Sequence, residues 1–222
     1  MKQMISIVVL TAVLMLASCD KDEINNTDTR VGISDVTVYP TLTLEGERFM
    51  AIPVGSTWTD PGVTAMEGPN TISYTTSGNV NTGAVGVYRL VYTAINKDGF
   101  AATIMRWVAV YDTDASAAGN DLSGQYRRSF PGNAADGQIA TWTKIAPGVY
   151  VVDNPGGAVG VNLQVIVFNA TGFDIEIPPQ TITDGTTFSS SDETYDPGPP
   201  ASYIWTMVNP GYGTAPRTFF KI

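Results

Sequence analysis

Val85-Gly86-Val87-Tyr88-Arg89-Leu90-Val91-Tyr92-Thr93-Ala94 alternates as a β-strand. Successive side chains of an extended chain point to opposite sides. Tyr88, Leu90 and Tyr92 therefore share one face, and Val87, Arg89 and Val91 share the other. Asn96-Lys97-Asp98-Gly99 follows as a hairpin turn, with Asp-Gly suited to the positive φ values of a type I′ turn. Thr103 to Tyr111 returns as the partner strand. There Met105, Trp107, Ala109 and Tyr111 alternate with Ile104, Arg106, Val108 and Val110. Two long alternating strands joined by a tight turn predict an all-β fold.

Upstream, Val36, Val38, Leu42 and Leu44 mark opening strands, with Pro40 at a break or sheet edge. Asp60-Pro61-Gly62 is a turn, because Pro61 fixes φ and Gly62 accepts the positive φ that follows. Gly55-x-x-Trp58-x-Asp60-Pro61-Gly62-Val63-x-Ala65 precedes Gly86-x-Tyr88-x-Leu90-x-Tyr92-x-Ala94, then Asn96-x-Asp98-Gly99 and a last strand. This series, from Gly55 to Val110, resembles the bacterial immunoglobulin-like domain found in some pesticidal crystal proteins and in many surface proteins. It departs at Ala65-Met66-Glu67-Gly68, where that family commonly has an Asp after the Ala. The resemblance implies a β-sandwich over residues 35–112, used for spacing or weak adhesion. Trp58 and Tyr92 are expected in its interior or at its ends.

Small residues without a hydrophobic period, Thr113 to Asp121, are expected to be a solvated linker. Residues 122–222 then form a second antiparallel domain, a barrel or a sandwich. Strands are expected near 124–130, 139–146, 149–153, 161–168, 173–177, 203–209 and 217–222. Pro147-Gly148, Asn154-Pro155-Gly156-Gly157 and Asp184-Gly185 are turns. Ser189 to Ala201 is expected to be a long polar, proline-rich loop. Gly124-x-Tyr126-x-Arg128, Trp142-x-Lys144, Pro147-Gly148-x-Tyr150 and Asp153-x-Pro155-Gly156-Gly157 resemble the C-terminal domain of Bacteroidetes surface lipoproteins that pair it with an Ig-like domain.

The N-terminus carries Lys2, then an apolar run from Ile5 to Leu16 that is too short to span a bilayer as a helix. Leu16-Ala17-Ser18-Cys19 resembles the lipobox of bacterial lipoproteins. That resemblance implies a signal peptide over residues 1–18, a lipid on Cys19 and a tether over residues 19–34. Asp20, Asp22 and Glu23 resemble the export signal of Bacteroidetes-type surface lipoproteins, which implies the outer membrane with the chain facing the exterior. Retention at the inner membrane, facing the periplasm, stays open.

The 222 residues carry a formal charge of −9, no histidine and one cysteine. An acidic chain without basic clusters excludes nucleic acid as the expected partner. Without histidine there is no Ser/His/Asp triad and no ordinary zinc site. Asp136, Asp153, Asp192 and Glu193 are the carboxylates a glycosidase would draw on, but nothing in their spacing places two in one cleft. The Asp112, Asp114, Asn120 and Asp121 oxygens match no calcium-loop spacing. The expectation is a non-catalytic protein without cofactor or metal. Tyr195, Tyr212, Trp142 and Trp205 are the candidates for stacking on sugar rings, although strand alternation favours core positions for the two tryptophans. Two readings stand: a surface protein that binds glycan or aids its uptake, or a spacer that docks a partner such as an outer-membrane transporter.

Overall fold

The structure, a computed structural model, describes Thr27, Arg30, Val31 and residues 34–222. The expected signal peptide, the Cys19 expected to carry a lipid and the acids behind it lie outside these residues. Two compact units divide the chain, residues 1–38 and 39–222. In the first, β1 (Arg30–Val31) pairs antiparallel with β2 (Ser34–Asp35). Val36 and Val38, expected in an opening strand, lie outside any strand. No helix among the described residues is long and apolar enough to cross a membrane.

The second unit opens with an Ig-like sandwich. β3 (Pro40–Leu44), β5 (Val63–Glu67) and β6 (Asn70–Thr71) make one sheet in that order. β4 (Phe49–Pro53), β9 (Ala101–Tyr111), β8 (Gly86–Ile95) and β7 (Tyr74–Ser77) make the other, with β4 parallel to β9. The long hairpin pairs Gly86 with Val110 through Ile95 with Ala101. Its turn is not the expected type I′. Only Gly99 takes a positive φ there, +87°. The Asn96 side chain accepts the Asp98 and Phe100 N–H groups at 3.1 and 2.7 Å, which holds the preceding residues right-handed.

Leu90, Tyr92 and Val63 form the sandwich core with Leu42, Leu44, Trp58 and Ile104 packed around them. Arg106 is wholly buried on this face. Its Nη1 donates to Asp60 Oδ1 at 2.6 Å, its Nε to Glu47 O at 3.1 Å, and its Nη2 to the Glu45 and Gly62 carbonyls. Tyr92 Oη donates to the same Asp60 oxygen at 2.7 Å, and Gly62 N does so at 3.1 Å. The Asp-Pro-Gly turn is thus the counter-ion site of a buried guanidinium.

Residues 106–110 are buried in an unbroken run, although the strand alternates. The reason is a cover on each face. Trp107 and Ala109 leave the sandwich and pack on Val149, Ile166 and Phe168 of the second module. The expected linker is ordered for the same reason. It contains α1 (Ala115–Ala118), capped by the Asp114 side chain accepting from Ser116 N at 2.8 Å. Thr113 donates to Pro147 O, Tyr150 Oη donates to Asn120 O, and Asn120 donates to Asn169.

The second module is one antiparallel sheet of eight strands. Its order is β13 (Gln164–Phe168), β12 (Val149–Asp153), β11 (Ile139–Ala146), β10 (Gly124–Ser129), β17 (Arg217–Lys221), β16 (Ser202–Val208), β15 (Thr187–Asp196) and β14 (Gln180–Thr181). The sheet curls almost into a barrel. Its two edges are joined by a side chain: Gln180 accepts the Ile166 N–H at 2.9 Å and donates to the Ile166 carbonyl at 2.7 Å. Residues 173–177 form no strand. They bridge the same seam through Phe168 and Glu176, which exchange two backbone bonds at 2.9 Å.

Ser189 to Asp196 is strand, not the loop expected. Asp192, at φ +55°, inserts one extra residue, so Ser191 pairs with Thr206 but Thr194 pairs with Ile204. The bulge inverts the parity, and Phe188 and Tyr195 both reach the barrel core. That core is largely aromatic: Tyr126, Trp142, Tyr150, Tyr203, Trp205, Phe188 and Phe219 are all within it.

Candidate cavity at the barrel end

Four aromatic residues were candidates for sugar stacking, and the barrel places them differently. Trp142 and Trp205 are core residues, 2% and 0% exposed, stacked on each other with centroids 5.6 Å apart. They cannot present a face to a ligand. Trp205 Nε1 donates to the buried Pro155 carbonyl at 3.0 Å. Tyr195 is half-buried. Phe173 stacks on its ring at 5.7 Å, and its hydroxyl lies 3.0 Å from that of Tyr126. Its face is therefore taken.

Tyr212 is the candidate that reaches a cavity. It follows β16 in a turn closed by Tyr212 N donating to Asn209 O at 3.0 Å. Its ring lies edge-on to Phe188 at 5.3 Å and against Gly156, where a Cβ would come within 2.3 Å of the ring. The Asn154-Pro155-Gly156-Gly157 turn is thus a buried floor, and glycine is required for the ring to approach it. Burial raises the Tyr212 phenol, and the Arg217 and Arg128 guanidiniums partly oppose this.

The cavity beside this ring has a volume of about 500 Å³. That is within the usual range of small-ligand sites. Asn162 and Leu163 approach from the β12–β13 connection, Ile182 and Asp184 from the β14–β15 hairpin, Asn209 and Tyr212 from the β16–β17 connection, and Arg217 from the start of β17. Asp184 is exposed, and its Oδ1 accepts from Thr186 N and Oγ1 at 2.8 and 2.7 Å, which holds its carboxyl below the ordinary value. Arg217 and Arg128 are each 8% exposed. Burial lowers the pKa of both. Arg128 Nη1 donates to the Gly156 and Gly157 carbonyls at 3.1 and 2.9 Å. Arg217 carries its guanidinium over the Tyr212 ring, 5.1 Å from the centroid.

Sequence reasoning missed both arginines. The signal was present, since Arg128 shares the inward parity of Tyr126, and Arg217 that of Phe219.

The carboxylates named from sequence are dispersed. Asp136 accepts the Phe130 N–H at 2.8 Å in a surface turn, Asp153 ends β12, and Asp192 forms the bulge. Glu193 lines a second cavity of about 370 Å³ with Asp174 and Glu176 and accepts from Ser190 Oγ at 2.5 Å. Burial, and then the Glu193 charge, raise the Glu176 carboxyl. Among the described residues, no group of three or more His, Cys, Asp or Glu side chains could hold a metal ion.

Residues 42–110 match the family of the Ig-like domain of bacterial surface proteins. The crystal structure of a lipoprotein from Bacteroides thetaiotaomicron is similar at 24% identity, covering 83% of this chain and 100% of that one, with a TM-score of 0.44. No curated protein matches this chain.

Proposed function

We propose that the protein is a non-catalytic, lipid-anchored bacterial surface protein that binds glycan in the cavity beside Tyr212. The observation that carries this reading is the cavity itself. It is about 500 Å³, it combines an aromatic ring and aliphatic walls with amide, carboxylate and guanidinium groups, and it opens at the end of a rigid barrel. Saccharides need both kinds of surface, apolar for the C–H faces of the ring and polar for the hydroxyls. The surface-type Ig-like domain supports the setting, as does the lipobox-like Leu16-Ala17-Ser18-Cys19. An acyl chain on Cys19 would anchor the chain to the outer membrane, with the barrel toward the exterior.

The docking reading has its own support. Ile204 and Val208 on β16, and Phe220 and Ile222 at β17, are 37%, 48%, 41% and 58% exposed. They share the outer face of adjacent strands, which would suit a partner protein such as a transporter.

The test is affinity electrophoresis of the chain from residue 19 onward, with Cys19→Ala in place of the lipidated residue, against a panel of polysaccharides. Retardation by at least one glycan, weakened by Tyr212→Ala but not by Tyr195→Ala, is expected. Equal migration in every gel would sink the binding reading and leave the docking face.

A further inference from the structure

Arg106 shows what a purely structural buried arginine looks like in this chain. It has a carboxylate at 2.6 Å and three backbone carbonyls. Arg217 is nearly as buried and has almost none of this. Among the described residues its one acceptor is Ala215 O, 3.3 Å from Nη1, and its Nε is buried without a partner. Arg128 stands close enough to repel it, and Arg128 Nε is also without a partner. Neither guanidinium meets a carboxylate within ion-pair distance among the described residues. Two neighbouring charges taken out of water without a counter-ion are costly, and such a site is completed by an anion.

We infer that the cavity takes the carboxylate of an acidic sugar, a uronic acid residue within a polysaccharide, with Arg217 as its principal counter-ion. The inference rests on the glycan-binding reading and narrows it. A guanidinium presents parallel N–H bonds that match a carboxylate. Arg217 lines the cavity with one Nη1 bond spent on the protein, and its Nη2 donates to no protein acceptor among the described residues, so Nη2 is the group left for a ligand. The Tyr212 ring lies beneath it, with its centroid 5.1 Å from the guanidinium carbon. Arg128 adds positive potential from behind while its own Nη1 holds the Gly156-Gly157 floor. Asp184 also lines the cavity. It is exposed, with Oδ1 engaged by Thr186, so its other oxygen is left for a sugar hydroxyl rather than for the acid group.

The experiment compares polygalacturonate and alginate with their carboxyl-reduced, neutral forms, a neutral glucan panel and a sulfated galactan, using the chain from residue 19 onward with Cys19→Ala. Calorimetry reads the affinity. Binding of a polyuronate is expected to fall about tenfold or more on carboxyl reduction, the effect of losing a charge-assisted pair. It should fall as much in Arg217→Gln and partly recover in Arg217→Lys. Circular dichroism and melting separate folding from binding. Arg217→Met should melt no lower than the parent, because removing a charge without a counter-ion removes a penalty. Neutral and acidic polymers bound equally well would overturn the acidic-sugar inference and leave glycan binding intact, and so would preference for the sulfated polymer alone. Failure of every polymer to bind would overturn both. A large melting loss in Arg217→Met would show a structural arginine and also overturn the inference.

Discussion

Arg89 of the Ig-like sandwich donates from Nη1 to the carbonyl of Ile182, 2.8 Å away, in the hairpin that walls the barrel cavity. Trp107 Nε1 donates to Thr181 O one residue earlier, also at 2.8 Å. The outer face of one module thus props a wall of the site in the other. The β14–β15 hairpin has few bonds of its own, with Ile182 N to Thr186 O at 2.9 Å and Gly185 N to Ile182 O at 3.0 Å. Arg89→Ala should remove a charged hydrogen bond of about 1.5–3 kcal/mol. The Gly185 amide should then exchange faster, and glycan affinity should fall although Arg89 does not line the cavity. Hydrogen exchange and calorimetry on one sample check both. Unchanged exchange at Gly185 would show that the sandwich does not support the hairpin.

Asp60 should be the most sensitive single position of the sandwich. Asp60→Ala leaves Arg106 buried with three carbonyl acceptors and the Tyr92 hydroxyl at 3.3 Å, and it also removes the acceptor for Tyr92 Oη and Gly62 N. Stripping one partner from a buried ion pair costs about 3–5 kcal/mol. Asp60→Asn keeps an oxygen in place and should lose less. Urea unfolding of the two variants reads the order. Equal and small losses would mean that the carbonyls and the Tyr92 hydroxyl satisfy Arg106 without the carboxylate.

Much of this fold was legible in the sequence because burial there is one-sided. The hairpin of residues 86–111 keeps a clean two-residue period, and its register follows from it. The errors have local causes. Ser189 to Asp196 is polar, and its bulge at Asp192 breaks the alternation that would have marked it as strand. Phe173, Ile175 and Ile177 alternate perfectly, yet the segment forms no ladder: it makes the isolated Phe168–Glu176 bridge and a backbone bond from Ser190 N to Ile177 O, while Gln180 occupies the seam beside it. The linker reads as loose since Ala and Ser carry no period, whereas its order comes from contacts some thirty to fifty residues away, such as Tyr150 with Asn120 and Asn120 with Asn169. The cavity was half visible. Tyr212 stood out as an aromatic in a turn, while Arg217 and Arg128 were hidden in strands that otherwise turn apolar residues inward.

Gln180 closes the barrel with an amide where a backbone ladder would normally run. Gln180→Leu fills the same space but strands the N–H and carbonyl of Ile166. Each buried, unpaired group costs about 1–3 kcal/mol. The variant should therefore unfold earlier in denaturant and expose the Ile166 amide to exchange, while Phe188 and the rest of the aromatic core stay packed in the folded state. Gln180→Glu should be worse at neutral pH, since it buries a charge and loses the donor. A melting curve for Gln180→Leu that overlays the parent would show that residues 173–177 hold the seam unaided.

Tyrosines set the alkaline limit of the fold. Burial raises the phenols of Tyr92, Tyr126, Tyr150 and Tyr203, and Asp60 and Tyr195 add to this at Tyr92 and Tyr126. In the unfolded chain such phenols ionise near pH 10. The folded protein therefore holds these protons more tightly, and the stability they contribute is complete below about pH 10 and lost as pH rises beyond it. The hydrogen-bonded carboxylates of Asp114, Asp121 and Asp184 carry the opposite sign. What they add is present above the ordinary aspartate range and lost as pH falls through it. An alkaline titration followed at once by tyrosinate absorbance and by circular dichroism should show these buried phenols ionising in step with unfolding. Tyr126→Phe removes one such group and should move that transition to higher pH. Complete ionisation of every phenol on a still-folded sheet would show that solvent reaches the barrel interior.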